Sequence, residues 1–106
     1  MSVAAREFVE RKIAENAVIL FVKNWCPYCR RAEATINNLV DQYEKVDLAK
    51  MPEGEPEGSD IQEYLYQKTK QSTVPNIFIR QQHIGGNDRL QELVANKSIQ
   101  KILEKL

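Results

Sequence analysis

The stretch Ala17-Val18-Ile19-Leu20-Phe21-Val22-Lys23-Asn24-Trp25-Cys26-Pro27-Tyr28-Cys29 decides the reading of this chain. Ala17 to Val22 is an unbroken apolar run rich in β-branched side chains, the pattern of a strand covered on both faces. Beyond Cys29, the residues Ala32, Ile36, Leu39 and Val40 recur at i, i+4, i+7 and i+8, which predicts an amphipathic helix from near Pro27 to about Val40. Proline fits the first turn of such a helix, where no backbone donor is needed. Both cysteines of the chain therefore fall at a strand-to-helix junction, separated only by Pro27 and Tyr28. A disulfide closing so small a loop would constrain the unfolded chain very little. A Cys-x-x-Cys pair in this position is the pattern of a redox site rather than of a structural staple.

Working outward, Phe8, Val9 and Ile13 recur among charged residues between Val3 and Asn16, which predicts an amphipathic surface helix. Tyr43 to Leu48 reads as a second strand, and the Pro-, Gly- and Glu-rich segment Ala49 to Gly58 as an exposed loop. Ser59 with Gln62 has the form of a capping box, opening a helix with Ile61, Tyr64 and Leu65 on its apolar face and fading by Lys70. Thr73-Val74-Pro75 leads into a strand from Asn76 to Arg80. Gln81-Gln82 is expected to turn the chain, and His83-Ile84 to return it before Gly85-Gly86. Asn87 suits the N-cap of a helix with Asp88 in its first turn and Leu90, Leu93 and Val94 on its inner face. Ile99, Ile102, Leu103 and Leu106 space out a last helix. A strand-helix-strand unit makes a parallel pair, whereas the short link from Ile79 to His83 permits only a hairpin. The predicted fold is α/β: a mixed four-stranded sheet with helices on both faces.

The length of 106 residues fits one domain, residues 1–106, large enough to bury its own core without disulfides or a structural metal. Fifteen basic residues balance fifteen acidic ones, so nothing in the total implies a nucleic acid, an anionic membrane or an acidic tail. The longest apolar run is too short to span a bilayer and Met1 to Arg6 lack a secretory pattern, so the expected location is cytoplasmic.

Four segments in this order resemble a dithiol glutaredoxin, one branch of the thioredoxin-like fold: Lys23 ahead of Cys26-Pro27-Tyr28-Cys29, then Ile61-Gln62, Thr73-Val74-Pro75, and Gly85-Gly86-Asn87-Asp88. The resemblance covers essentially the whole length. Trp25, Ser72 and Arg89 depart from the commoner residues of that family at their positions.

What the resemblance implies is a monomeric, metal-free, glutathione-dependent thiol-disulfide oxidoreductase whose other partners are glutathionylated and disulfide-containing proteins. Cys26 is the expected nucleophile and Cys29, one turn into the helix, the resolving thiol. An ordinary cysteine, with a pKa of about 8.5, is mostly protonated at neutral pH. The helix N-terminus after Pro27, the Lys23 cation and the Cys29 thiol are each expected to favour the reactive thiolate of Cys26. For glutathione, Lys23 and Gln62 would hold the glycine carboxylate, and the backbone of Val74 would pair with the ligand as an added strand, before a cis Pro75. The backbone amides of Gly86, Asn87 and Asp88 would take the γ-glutamyl carboxylate, with the Asp88 side chain near its ammonium. Tyr28 would wall the groove.

Blander readings compete at several positions. Lys23 and Gln62 are also ordinary exposed residue types, Pro75 also a strand-entry proline, and Gly85-Gly86 also plain turn glycines. Trp25 suits either a contact surface or the core. His83 reads as a partly exposed strand residue and Arg30-Arg31 as a solvated helix face. A thioredoxin is the nearest rival, favoured by Trp25 and opposed by Pro27-Tyr28 and the Gly85-Gly86-Asn87-Asp88 segment. An iron-sulfur carrier, ligating a [2Fe-2S] cluster through Cys26 of two protomers and two glutathiones, is opposed by Pro27 and by the Cys29 thiol.

Overall fold

A computed structural model describes residues 2–104. The order of elements is α1 (Val3–Glu15), β1 (Val18–Val22), α2 (Pro27–Leu39), β2 (Glu44–Asp47), α3 (Gly58–Thr69), β3 (Asn76–Ile79), β4 (Gln82–Gly85), α4 (Asn87–Ala95) and α5 (Ile99–Glu104). The strands lie side by side as β2-β1-β3-β4. β1 runs parallel to β2 and antiparallel to β3, and β3 and β4 form the expected hairpin. Leu106, the last apolar position of the final repeat, lies outside the described residues.

All five residues of β1 are buried, because the sheet is covered on both faces. Side chains alternate across the pleat. Val18, Leu20 and Val22 join Ile77, Ile79 and Ile84 under Ala32 and Ile36 of α2, Leu90 and Leu93 of α4, and Ile99 of α5. Ile19 and Phe21 point the other way, joining Phe78 and Val46 under Phe8, Val9 and Ile13 of α1 and Ile61 and Leu65 of α3. Fully burying each large apolar chain stabilises the fold by roughly 1.5–3 kcal/mol. On the second face α1 and α3 are also tied by polar contacts: the Tyr64 hydroxyl donates to the Glu10 carboxylate, and the Lys68 ammonium lies 2.9 Å from it. Burial pushes Tyr64 up to about 12, and its bond to Glu10 acts in the same direction. Burial alone would raise Glu10, but the Tyr64 and Lys68 contacts outweigh it and hold the carboxyl below its ordinary value.

The outer strands are short, and two of the three charged residues of β2 are held in ion pairs. Glu44 meets Lys12 of α1 at 2.8 Å, and Lys45 meets Glu33 of α2 at 2.8 Å.

Three predicted boundaries are corrected. The N-cap of α3 is Glu57 rather than Ser59, and no side chain caps it. A Cβ on Gly58 would lie 1.8 Å from the Leu48 carbonyl oxygen, so the chain is wedged against the end of β2 and the helix begins there, leaving Ser59 and Gln62 inside it. The N-cap of α4 is Gly86 rather than Asn87. Asn87 is 8% exposed, and its Oδ1 accepts from Gln91 Nε2 at 3.0 Å instead of capping the helix. The hairpin turns at Arg80-Gln81, one residue earlier than expected, with φ of 51° and 67°. Two consecutive left-handed residues give the turn whose twist matches a two-residue hairpin.

His83 is half-buried on β4. Its Nε2 lies 2.8 Å from Asn76 Oδ1, and its ring stands 5.0 Å from that of Phe78. Burial, with the Lys68 cation acting in the same direction, pushes its pKa below the ordinary value of 6.5. The unfolded chain therefore takes up a proton, as pH falls below about 6.5, that the folded chain resists. This contribution is absent above that value and destabilises progressively below it. Since His83 is the single histidine, His83→Gln should flatten the fall in urea midpoint between about pH 7.5 and 5.5. An equal fall in both proteins would show that other groups govern this range.

Candidate active site

Cys26 is the N-cap of α2, with Pro27 in the first turn of the helix. Where most helices offer a serine or aspartate oxygen, the Cys26 sulfur accepts the backbone N–H of Cys29 at 3.1 Å. The end of β1 sets this position, because Cys26 N–H donates to the Lys23 carbonyl at 3.1 Å and turns the chain directly into the helix. The sulfur sits at the end of the helix where the backbone dipole favours negative charge. Across from it, the Val74 carbonyl oxygen lies 3.7 Å from Cys26 Sγ, and the Val74-Pro75 peptide bond is cis, as the resemblance implies.

The two thiols sit in different surroundings. Cys26 is 9% exposed, whereas Cys29 is fully enclosed among the apolar residues of α2, β1 and α4. Burial pushes the Cys29 thiol up to about 12; its proximity to Cys26 and to the Glu33 carboxylate acts the same way, and a backbone hydrogen bond from Lys23 opposes them. At neutral pH Cys29 is therefore a thiol.

A groove of about 440 Å³ is lined by Tyr28, Thr73, Val74, Pro75, Gly86, Asn87, Asp88 and Arg89. It thus gathers six of the predicted contact residues: Tyr28, Val74, Pro75, Gly86, Asn87 and Asp88. The helix start at Gly86 has no side-chain cap, and Gly86, Asn87 and Asp88, which carry its leading amides, line the groove. Two predicted contacts stand apart from its walls. The Lys23 ammonium lies 5.8 Å from the centre of the Trp25 ring, and the Gln62 amide donates to the Ser72 carbonyl at 2.7 Å. Trp25 is 65% exposed and Tyr28 55%, which resolves the open reading of Trp25 in favour of surface. The Arg31 guanidinium lies 5.4 Å from the centre of the Tyr28 ring. Thr73 and Arg89 also line the groove; neither is among the expected contacts, although each adjoins one in sequence, Thr73 beside Val74 and Arg89 beside Asp88. A larger cleft, of about 550 Å³, opens by Glu15, Asn16 and Asp41 to Tyr43, at the start of β1, and contains neither thiol. Among the described residues, no three His, Cys, Asp or Glu side chains cluster so as to hold a metal.

The family model for glutaredoxin matches residues 18–84 of this chain. Glutaredoxin-2 of Schizosaccharomyces pombe is 42% identical over 106 residues, spanning 100% of this chain and 93% of the relative. Glutaredoxin-1 of Rhizophagus irregularis is 42% identical over 101 residues, covering 95% of this chain and 96% of the relative. Among solved structures, a buckwheat glutaredoxin-glutathione complex superposes with a TM-score of 0.84 at 32% identity, over 94% of this chain and 86% of that one. With the paired thiols at a helix start, the cis proline beside them and the sheet order above, these likenesses converge: the chain belongs to the glutaredoxin family.

Proposed function

We propose that this glutaredoxin reduces protein-glutathione mixed disulfides with Cys26 alone, and protein disulfides with Cys26 and Cys29 together. The observation that carries the reading is the Cys26 sulfur, held by the Cys29 amide at 3.1 Å at the helix start and bordering the groove through Val74. A relative from buckwheat has been solved in complex with glutathione, and the groove beside Cys26 supplies the groups such a ligand needs.

In the first route the Cys26 thiolate attacks the glutathione sulfur of the mixed disulfide. The protein thiolate leaves and takes a proton, and Cys26 holds the glutathionyl group as a new disulfide. A second glutathione, as its thiolate, attacks that sulfur; oxidised glutathione departs and the Cys26 thiolate returns. In the second route Cys26 attacks a protein disulfide, and Cys29, losing its proton, attacks the Cys26 sulfur of the mixed disulfide. The client leaves with two thiols. Two glutathiones then reduce the Cys26-Cys29 disulfide and leave as one oxidised glutathione. Val74 offers its backbone to the extended ligand, and the amides of Gly86, Asn87 and Asp88 meet its γ-glutamyl carboxylate.

Incubation with oxidised glutathione followed by mass spectrometry tests this reading on the Cys29→Ser variant, which traps the intermediate. One adduct of glutathione mass on Cys26 is the expected result, and no adduct would overturn the proposal. The Asp88→Ala variant should lose roughly 1–3 kcal/mol of glutathione recognition, read as a raised KM, with little change in melting temperature.

A further inference from the structure

Gln71 lies just beyond α3, outside the lining of the groove, yet its side chain reaches two of the segments that form it. Nε2 donates to the Thr73 carbonyl at 3.1 Å and to the Pro75 carbonyl at 2.9 Å, so both N–H groups of one amide are used on one short segment. Those carbonyls bracket Val74, whose own carbonyl is turned toward Cys26 Sγ. The same amide lies near the opening of α4. A Cβ on Gly85 would lie 3.7 Å from Gln71 Oε1, and one on Gly86 3.9 Å from Nε2. Gln71 is itself held: its N–H donates to Thr69 Oγ1 at 3.0 Å, and that hydroxyl donates to the Leu65 carbonyl at 2.7 Å. Lys70 between them takes the left-handed conformation, φ 66°, that turns the chain out of the helix.

We infer that Gln71 is a positioning residue for the ligand groove, fixing the Thr73 and Pro75 carbonyls away from the ligand so that the Val74 peptide group is presented to it. This rests on the glutathione reading above. Without the two donors, the Thr73 and Pro75 carbonyls lose the bonds that tie them to the end of α3, and each binding event must restore the order of that segment. Such a cost falls on binding, since the bonds that hold Cys26 at the helix start come from Cys29 and Lys23, and the loosened segment meets the sulfur through the Val74 carbonyl at the longer distance of 3.7 Å.

The test uses Gln71→Leu, which removes all polarity, and Gln71→Glu, which keeps the shape but has no donor at neutral pH. Steady-state kinetics on a glutathionylated peptide are measured beside the rate at which iodoacetamide, a reagent too small to need Val74, alkylates Cys26. In both variants KM should rise about tenfold while kcat and the alkylation rate stay within about twofold of the parent. Unchanged KM in both variants overturns the inference, as does a fall in kcat and alkylation together, which would mark a general support of the fold. The parent protein separates this inference from the functional reading: a parent inactive on the peptide overturns the reading itself, whereas an active parent with unaltered variants removes only the role of Gln71.

Discussion

Replacing Cys29 by serine should leave reduction of a glutathione mixed disulfide in place while cutting reduction of a protein disulfide by more than about a hundredfold. The first reaction asks only that Cys26 accept a glutathionyl group and that free glutathione remove it. The second asks for a thiol held beside the intermediate, and the high effective concentration of a positioned group is lost with Cys29. The Cys29 backbone N–H that contacts the Cys26 sulfur remains in the variant, so the helix cap survives. Removing Cys29 also closes off the internal disulfide, which withdraws enzyme from the one-thiol cycle, so the first activity is free to rise. Cys26→Ser should abolish both reactions, because the other thiol is fully enclosed. Both activities measured on both variants decide the matter. Equal loss of mixed-disulfide reduction in the two would reverse the assignment of attacking and resolving thiols.

The largest expected effect on stability lies far from the thiols, at Gly58→Ala. The added methyl would stand 1.8 Å from the Leu48 carbonyl oxygen and 2.7 Å from its carbon, and both are backbone atoms. Leu48 cannot simply retreat, since its N–H donates to the Val22 carbonyl at 2.8 Å and extends the pairing of β2 with β1. Either the start of α3 or the end of β2 must shift, at a cost of roughly 3 kcal/mol or more. Urea denaturation of the two proteins gives the difference directly. A midpoint unchanged within error would mean that the wedge between Leu48 and Gly58 opens without penalty.

What the residue pattern disclosed, and what it concealed, follows from the range of the forces involved. The run from Val18 to Val22 announced a central strand because burial on both faces leaves no polar position in it, and α2 was legible because its apolar spacing meets a single core. The three boundary errors have another origin. Ser59 with Gln62 satisfies a local capping rule, but contact of Gly58 with Leu48, ten positions earlier, sets the start of that helix. Asn87 is a good cap by type, yet Gln91 engages its side chain and links it onward to Thr35 on α2 at 2.8 Å. Arg80 and Gln81 carry none of the usual turn signals and are bent by the register of β3 against β4. The site divides in the same manner. The thiol pair could be read from its spacing and the cis proline from the family resemblance, whereas Gln71 gives no local sign of the two carbonyls it will hold, and Gln62 spends its amide on Ser72 rather than standing in the groove.

The ion pairs along β2 bear on a hazard that stability measurements do not register. An outer strand presents unpaired backbone donors and acceptors along its free side, a ready template for strand addition by another molecule and hence for aggregation. As contributions to folding, exposed pairs such as Lys45 with Glu33 count for little, about 0–1 kcal/mol each. Their placement gives them another use. Glu44 and Lys45 are successive residues of a four-residue strand, one tied to α1 and the other to α2. A second chain approaching that side meets a charged side chain at each of these positions, and laying an apolar strand against them would strip water from both ion pairs.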